Sequence, residues 1–179
     1  MSDSCSVGNR SARTRLVPLM AALLAACSDG GTDQAAAPSP GVPATTDACD
    51  LLSPEDAERI VGGTVDEPKG GAPVSSQTVR LTDCTWMEMT SGRTVTIVLR
   101  HSANPDNSPE AIAGVRSELA AAGPVSDVEG LADKAFWGGN QLHAFRGGND
   151  YLTVSVAGFP DDEAASAARK AAEIALGRL

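Results

Sequence analysis

The chain has 179 residues, with 14 basic and 23 acidic side chains and only 3% aromatic residues. Its formal net charge of −9 would repel a phosphate backbone, and no stretch rich in Lys or Arg offsets that repulsion. These features exclude nucleic-acid binding and argue against broad contact with anionic lipid headgroups. With so few aromatic residues, the core must be built mainly from aliphatic side chains.

The first 26 residues have the organisation of a lipoprotein signal peptide. Three arginines within residues 10–15 precede an apolar run over residues 16–26. This run is shorter than the roughly 20 residues that span a bilayer, but it has the length of a signal-peptide core. It ends in LAAC, the pattern of a bacterial lipobox. We therefore predict cleavage before Cys27 and acylation of its thiol, which anchors the protein to the extracytoplasmic face of the membrane. The alternatives are an ordinary secretory signal followed by a chance cysteine, and a buried helix.

Residues 27–46 are predicted to form a disordered, acylated tether. Gly, Ser, Thr, Pro and Ala dominate the segment, and large apolar side chains are nearly absent. Its reach is on the order of 25 Å. Residues 47–179 remain for a single globular domain, because a segment of about 133 residues can bury one core.

Cys49 and Cys84 are the two cysteines of the predicted globular domain. An exported protein can form disulfides, and two cysteines have one possible pairing. We predict a Cys49–Cys84 bond that staples the domain. Their spacing differs from the CxxC of a redox pair, and only His101 and His143 could complete a metal site. The sequence therefore predicts neither a metal nor a cofactor.

Helix boundary signals predict the first two helices. Ser53 and Ser108 each begin a Ser-Pro-Glu sequence, which supplies an N-cap, a proline at the first helical position and an acidic first turn. The first helix ends at Gly62-Gly63 and the second at Gly123-Pro124. One face of the second helix carries Ile112, Val115 and Leu119.

The third helix is predicted from about Asp161 to Arg178, with a stripe of small residues that indicates close packing on a sheet. The stripe consists of Ala164, Ala168, Ala171, Ala175 and Leu179.

Strands are predicted between these helices, and glycine-rich turns join the last three as hairpins. Strands connected in this way pair antiparallel. The sequence therefore predicts an α+β fold, an antiparallel β-sheet packed by about three helices. The predicted strands cover residues 79–89, 94–100, 135–137, 141–146 and 151–157.

Aromatic side chains are the main candidates for a binding site. Trp86, Trp137 and Phe145 could line an apolar pocket or a contact patch between sheet and helices, because large aromatic residues supply most of the area in such sites. The alternative is ordinary core packing.

Catalytic motifs are absent from the sequence, since it contains no HExxH, GxSxG or SxxK. His101 precedes a loop that contains Asp106, and Ser102 or Ser108 could serve as a nucleophile beside such a pair. A solvated strand end explains His101, an N-cap explains Ser108, and sheet packing explains His143. We expect a protein without enzymatic activity.

Several short motifs resemble a family of actinobacterial cell-envelope lipoproteins whose shared domain has no assigned function. The motifs are the lipobox and stalk, ACDLLSPED at residues 48–56, CTW at 84–86 and VEGLADKA at 128–135, followed by a strand and a C-terminal helix. The likeness spans roughly residues 48–178. This chain has Ala132-Asp133 where such families show Gly-Asp. The resemblance implies an exported domain with Cys49 and Cys84 paired, and it carries over no catalytic residue.

We expect a surface-tethered ligand-binding or protein-interaction module. Its partners would be the membrane, through the lipid anchor, and an unknown envelope protein or a small apolar ligand. The alternatives are an envelope hydrolase that uses His101 or His143, and an accessory subunit of a membrane complex.

Overall fold

The computed structural model describes residues 46–179. The predicted signal peptide, the acylation site Cys27 and all of the tether except Thr46 lie outside the described residues. The described part forms one seven-stranded antiparallel sheet and three α-helices, which confirms the predicted α+β class. None of these helices is long and apolar enough to cross a membrane.

The elements agree closely with the predicted boundaries. After a 3₁₀ helix at Ala48–Asp50 they are α1 (Pro54–Val61), β1 (Val74–Ser75), β2 (Val79–Met87), β3 (Thr94–Ser102), α2 (Pro109–Ala122), β4 (Val125–Asp127), β5 (Lys134–Gly138), β6 (Gln141–Arg146), β7 (Asp150–Ala157) and α3 (Asp161–Arg178). The sequence did not predict β1 and β4, because two or three residues are too few to show an alternating pattern. The strand predicted to reach Met89 ends at Met87, where the carboxylate of Glu88 accepts hydrogen bonds from the turn that follows.

The strand order is β1-β2-β3-β7-β6-β5-β4. β2 and β3 form one hairpin, β5, β6 and β7 form a meander, and the two groups join where β3 pairs with β7. The connection through α2 carries the chain from β3 to β4 at the far edge of the sheet. This route places α2 against β4 and β5.

One face of the sheet packs against α1 and α3 to form the main core. Alternate residues of the central strands face these helices, among them the fully buried Trp86, Ile97 and Val154. The small residues of α3 allow the close packing that the sequence indicated. The buried positions of α3 are Ala167, Ala168, Ala171, Ala172, Ala175 and Leu176, whereas the predicted Ala164 and Leu179 are only partly buried. The buried surface of α3 is therefore wider than the predicted stripe.

The Cys49–Cys84 disulfide is present and confirms the predicted pairing. It joins the segment before α1 to the middle of β2, with the two Cα atoms 5.0 Å apart. The backbone N–H of Ala48 also donates to the hydroxyl of Thr82 at 3.1 Å. These contacts attach the start of the domain to the sheet.

Asp56 links the first and last helices. It forms a capping box with Ser53 and accepts a hydrogen bond from Arg178 at the end of α3. Burial alone would raise the pKa of Asp56, but the hydrogen bonds from Ser53 and Arg178 lower it to about 2.

Candidate functional site

The face of the sheet opposite α1 and α3 carries a cluster of aromatic side chains. Phe136, His143, Phe145 and Tyr151 alternate with core residues and therefore project from this face. Cross-strand pairing places Phe136 opposite His143, and Phe145 opposite Tyr151. The ring centroids of these pairs lie 5.4 Å and 4.5 Å apart, and both pairs are stacked. We call these four residues the aromatic cluster.

Helix α2 lies beside the aromatic cluster without being buried itself. None of its residues from Pro109 to Ala122 is buried, whereas Phe136 is 0% and Phe145 is 3% exposed. The predicted stripe of Ile112, Val115 and Leu119 is half-buried. The helix therefore has space along both sides.

Two cavities flank α2, and we call them together the α2 groove. The first has a volume of about 460 Å³ and is lined by Pro109, Ile112, Ala113, Arg116, Asp127 and Lys134. The second has a volume of about 300 Å³, and its lining includes Val115 of α2 with Phe145 and Tyr151 of the sheet. Both volumes fall within the range of about 300–1,000 Å³ that is typical of small-molecule sites.

A third cavity, of about 540 Å³, lies at the end of α1 and has a different character. Glycine, threonine and serine contribute most of its lining, together with Glu88 and Arg93. Glu88 accepts hydrogen bonds from the hydroxyl and N–H of Ser91 and from the N–H of Thr90. These bonds, above all the one from the Ser91 hydroxyl, lower the pKa of Glu88 to about 2. The carboxylate stabilises its own turn, so this cavity is a weaker candidate than the α2 groove.

His143 is the polar centre of the aromatic cluster. Its Nδ1 lies 2.7 Å from the hydroxyl oxygen of Tyr151. Burial lowers the pKa of His143 and raises the pKa of Tyr151, so both groups are neutral near pH 7. The other ring nitrogen, Nε2, is buried and has no hydrogen-bond partner among residues 46–179. An unpaired buried group of this kind costs about 1–3 kcal/mol.

The two cavities differ in their charged residues. In the first, Arg116 and Lys134 both pair with Asp127, and the Lys134 Nζ lies 3.2 Å from the Asp127 Oδ1. The hydrogen bond from Arg116 is the largest cause that lowers the pKa of Asp127. In the second, Arg100 and Asp106 form a two-pronged pair of opposite charges. The lining of the first cavity therefore holds one more cation than anion, and that of the second is balanced.

The three aromatic residues proposed from the sequence as a pocket do not come together. Trp86 and Trp137 belong to the face that packs on α1 and α3, whereas Phe145 lies on the opposite face. Trp86 is fully buried, and Trp137 lines a separate cavity beside the end of α2. Only Phe145 contributes to the α2 groove.

His101 does not pair with Asp106, which is instead bound by Arg100. The Nδ1 of His101 lies 2.7 Å from the Oδ1 of Asp150. The reason is that β3 continues to Ser102, so the side chains of Arg100 and His101 point to opposite faces. His101 is the next-to-last residue of β3, and its side chain is partly buried and held by Asp150.

The serines near His101 have other roles. Ser108 caps α2 by accepting a hydrogen bond from the N–H of Ala111, as the sequence predicted. Ser102 is buried, and its hydroxyl lies 3.5 Å from the carbonyl oxygen of Thr78. No hydrogen bond within residues 46–179 joins a serine hydroxyl to His101, so the described part of the chain forms no nucleophile–base pair there.

The α2 groove itself was not predicted from the sequence. Its signals are the apolar stripe of α2 and the aromatic residues at alternating positions of β6. Neither signal indicates which helix covers which face, because that depends on contacts between Val115 and residues more than 20 positions away in the sequence. The described residues contain no group of three or more His, Cys, Asp or Glu side chains placed to hold a metal ion.

Comparisons of the chain with protein-family models, curated proteins and solved structures find no match. The resemblance to envelope lipoproteins therefore rests on its short motifs and remains a prediction.

Proposed function

We propose that this protein is a ligand-binding module of the bacterial cell envelope, anchored to the membrane through Cys27, with the α2 groove as its binding site. The proposed location is supported by the lipobox in the sequence and by the Cys49–Cys84 disulfide, a bond that persists in oxidising compartments.

The observation that carries this proposal is the incomplete burial between α2 and the sheet. A helix whose only role is to cover a core normally buries its apolar stripe. Here the stripe of α2 is half-buried above stacked aromatic rings, and a cavity lies along each side. An apolar ligand in the groove would bury this surface at a gain of about 25 cal/mol per Å².

Native mass spectrometry of residues 47–179, exported into an oxidising bacterial compartment, tests the proposal. We expect a mass above that of the denatured chain, or uptake of an apolar fluorescent probe if the ligand is lost on purification. Val115→Asp should abolish binding, because Val115 lines the groove. Ser117→Asp adds the same charge on the exposed face of α2 and should leave binding intact. A native mass equal to that of the chain alone, together with no probe uptake, would contradict the proposal. Equal effects of the two variants on binding would contradict it as well.

A second candidate function, an envelope hydrolase, is supported by the His101–Asp150 pair at 2.7 Å. A carboxylate that accepts a hydrogen bond from one imidazole nitrogen holds the ring so that the other nitrogen can act as a general base. Loss of activity towards an ester, peptide or glycan substrate in His101→Ala, with the fold retained, would support this function. If the wild-type protein cleaves none of the ester, peptide and glycan substrates in a panel, that result would count against this function.

A further inference from the structure

His143 is enclosed beneath α2 in the middle of the aromatic cluster. Its ring centroid lies 5.4 Å from that of Phe136 and 6.0 Å from that of Tyr151, and only 4% of the residue is exposed. The guanidinium carbon of Arg116 lies 5.8 Å from the centroid of the Phe136 ring. The neighbouring Val115 lines a cavity together with Tyr151. Because these two residues of α2 reach the rings on either side of His143, the turn that contains them covers the imidazole.

The surroundings of His143 suit the neutral imidazole and oppose the protonated one. A protonated imidazole donates a hydrogen bond from both ring nitrogens. The hydroxyl of Tyr151, 2.7 Å from Nδ1, can accept one of them. The buried Nε2 has no partner in the part of the chain that the structure describes. Protonation beneath a closed α2 would therefore bury a positive charge together with an unsatisfied N–H group, and both are unfavourable.

The charged groups around the aromatic cluster do not compensate such a charge. Besides Tyr151 of β7, they are Arg100 of β3 with its partner Asp106, Arg116 and Glu118 of α2, Lys134 of β5, and Asp127 of β4, which pairs with Arg116 and Lys134. The hydrogen bonds from the two arginines lower the pKa values of both aspartates, so these ion pairs persist in mild acid. Burial is the cause that lowers the pKa of His143, and no carboxylate of the described residues opposes that shift.

Helix α2 is the element that can move to relieve this burial. None of its residues is buried, and it is held on the sheet by the half-buried side chains of Ile112, Val115 and Leu119. By contrast, α3 packs on the other face of the sheet with six buried residues. Segments with few buried apolar contacts open locally at a lower free energy than the whole domain. Movement of α2 would bring water to Nε2 without disturbing the core beneath α3.

We infer that α2 is a proton-gated lid, which covers the aromatic cluster while His143 is neutral and moves off the sheet when His143 takes up a proton. The proton comes from solvent and binds the ring nitrogen that lacks one, so no other reactant is needed. Opening exposes Phe136 and Phe145 and widens the α2 groove. The movement itself depends on His143 and α2 alone, whereas its effect on ligand uptake rests on the proposed binding function.

Hydrogen exchange of the full chain, purified after export in a neutral detergent and followed by mass spectrometry, tests the lid. Exchange is measured from about pH 7.5 to about pH 5, the range in which histidines titrate, and is corrected for its intrinsic pH dependence. Since opening binds one proton, the protection of α2 amides should fall by up to about tenfold per pH unit below 6.5, until the lowered pKa of His143 is reached. The amides of α3 should stay protected. Constant protection of α2, or an equal loss in α2 and α3, would overturn the inference.

Two variants assign the response to His143, one of the two histidines in the sequence. His143→Phe keeps an aromatic ring in the stack, and His143→Gln keeps a group that can hydrogen-bond to Tyr151, but neither side chain takes up a proton at about pH 6. In whichever of these variants folds, α2 protection should be the same at both ends of the pH range. His101→Gln removes the other histidine, which contacts Asp150, and should keep the wild-type response. A response that persists in the His143 variants, or that is lost in His101→Gln, would show that His143 does not control α2.

Uptake of an apolar fluorescent probe at the two ends of the pH range separates the lid from the binding function. We expect faster uptake in acid by the wild-type protein and equal rates at the two pH values in His143→Gln. Loss of α2 protection in acid without any uptake of probe would contradict the binding function and support the lid. Uptake of probe by a protein whose α2 protection stays constant would support the binding function and overturn the lid.

Discussion

The Cys49–Cys84 disulfide offers the most direct test of the physical reasoning. The bond joins residues 35 positions apart in the sequence and attaches the segment before α1 to a central part of the sheet. Cys84 is fully buried beside the core. Reduction of the wild-type protein removes the cross-link without removing any side chain, so it isolates the effect of the closed loop.

The expected magnitude follows from the entropy of loop closure. A closed loop of this length restricts the unfolded chain enough to stabilise the fold by about 4 kcal/mol. Domains of this size have total stabilities of about 5–15 kcal/mol, so the reduced protein should be close to its stability limit. Replacement of both cysteines by alanine also removes two sulfur atoms from a packed region, which should cost about 1 kcal/mol more.

Urea unfolding, followed by tryptophan fluorescence with and without a reductant, measures these differences. We expect a lower midpoint and a larger denaturant slope after reduction, because the uncrosslinked chain exposes more surface when it unfolds. A loss of less than about 1 kcal/mol on reduction would refute the loop argument. A double-alanine variant as stable as the oxidised protein would refute it as well.

Three further predictions concern ionisation and packing. The pKa of Asp56 is about 2 in the folded state against an ordinary 3.8, so its contribution to the free energy of unfolding is complete above pH 3.8 and is lost as the pH falls towards 2. Urea midpoints of Asp56→Asn should therefore depend less on pH in this range than those of the wild-type protein. An equal dependence in the two proteins would contradict this. Burial lowers the pKa of His143 below 6.5, so stability should fall as the pH drops below 6.5 towards that lowered pKa, and thermal melts of His143→Phe should lose this dependence. Ala171→Leu should destabilise the domain by about 1–3 kcal/mol, because Ala171 is fully buried on the face of α3 that packs against the sheet. Ala165→Leu, on the exposed side of α3, is its control, and equal unfolding midpoints for the two variants would show that α3 is not closely packed.

Local sequence signals predicted the helices well because helix ends depend on neighbouring residues. Ser53 and Ser108 cap α1 and α2 through hydrogen bonds to N–H groups three residues ahead, so each start is specified within one turn. The edge strands β1 and β4 carry no such signal. They are strands because they lie beside β2 and β5, and that pairing depends on the whole sheet.

The candidate site was predicted only in part. The catalytic alternative considered Asp106 beside His101 because it is close in sequence, whereas the carboxylate that His101 meets is Asp150, 49 residues away. Trp86 and Phe145 were grouped by residue type, although strand alternation places them on opposite faces. In both cases the deciding quantity is the register between strands, which a single sequence does not state.

The sequence alone determined the class of fold, the three helices and the one available disulfide of the domain, because capping, periodicity and the cysteine count are local or combinatorial properties. Only the tertiary structure decided that α2 covers the aromatic half of the sheet, that Arg116 lies above Phe136, and that a groove remains on each side. The physical reason is that a groove is the space left between elements. Its shape depends on how closely α2 and the strands approach each other, and no individual residue specifies that distance.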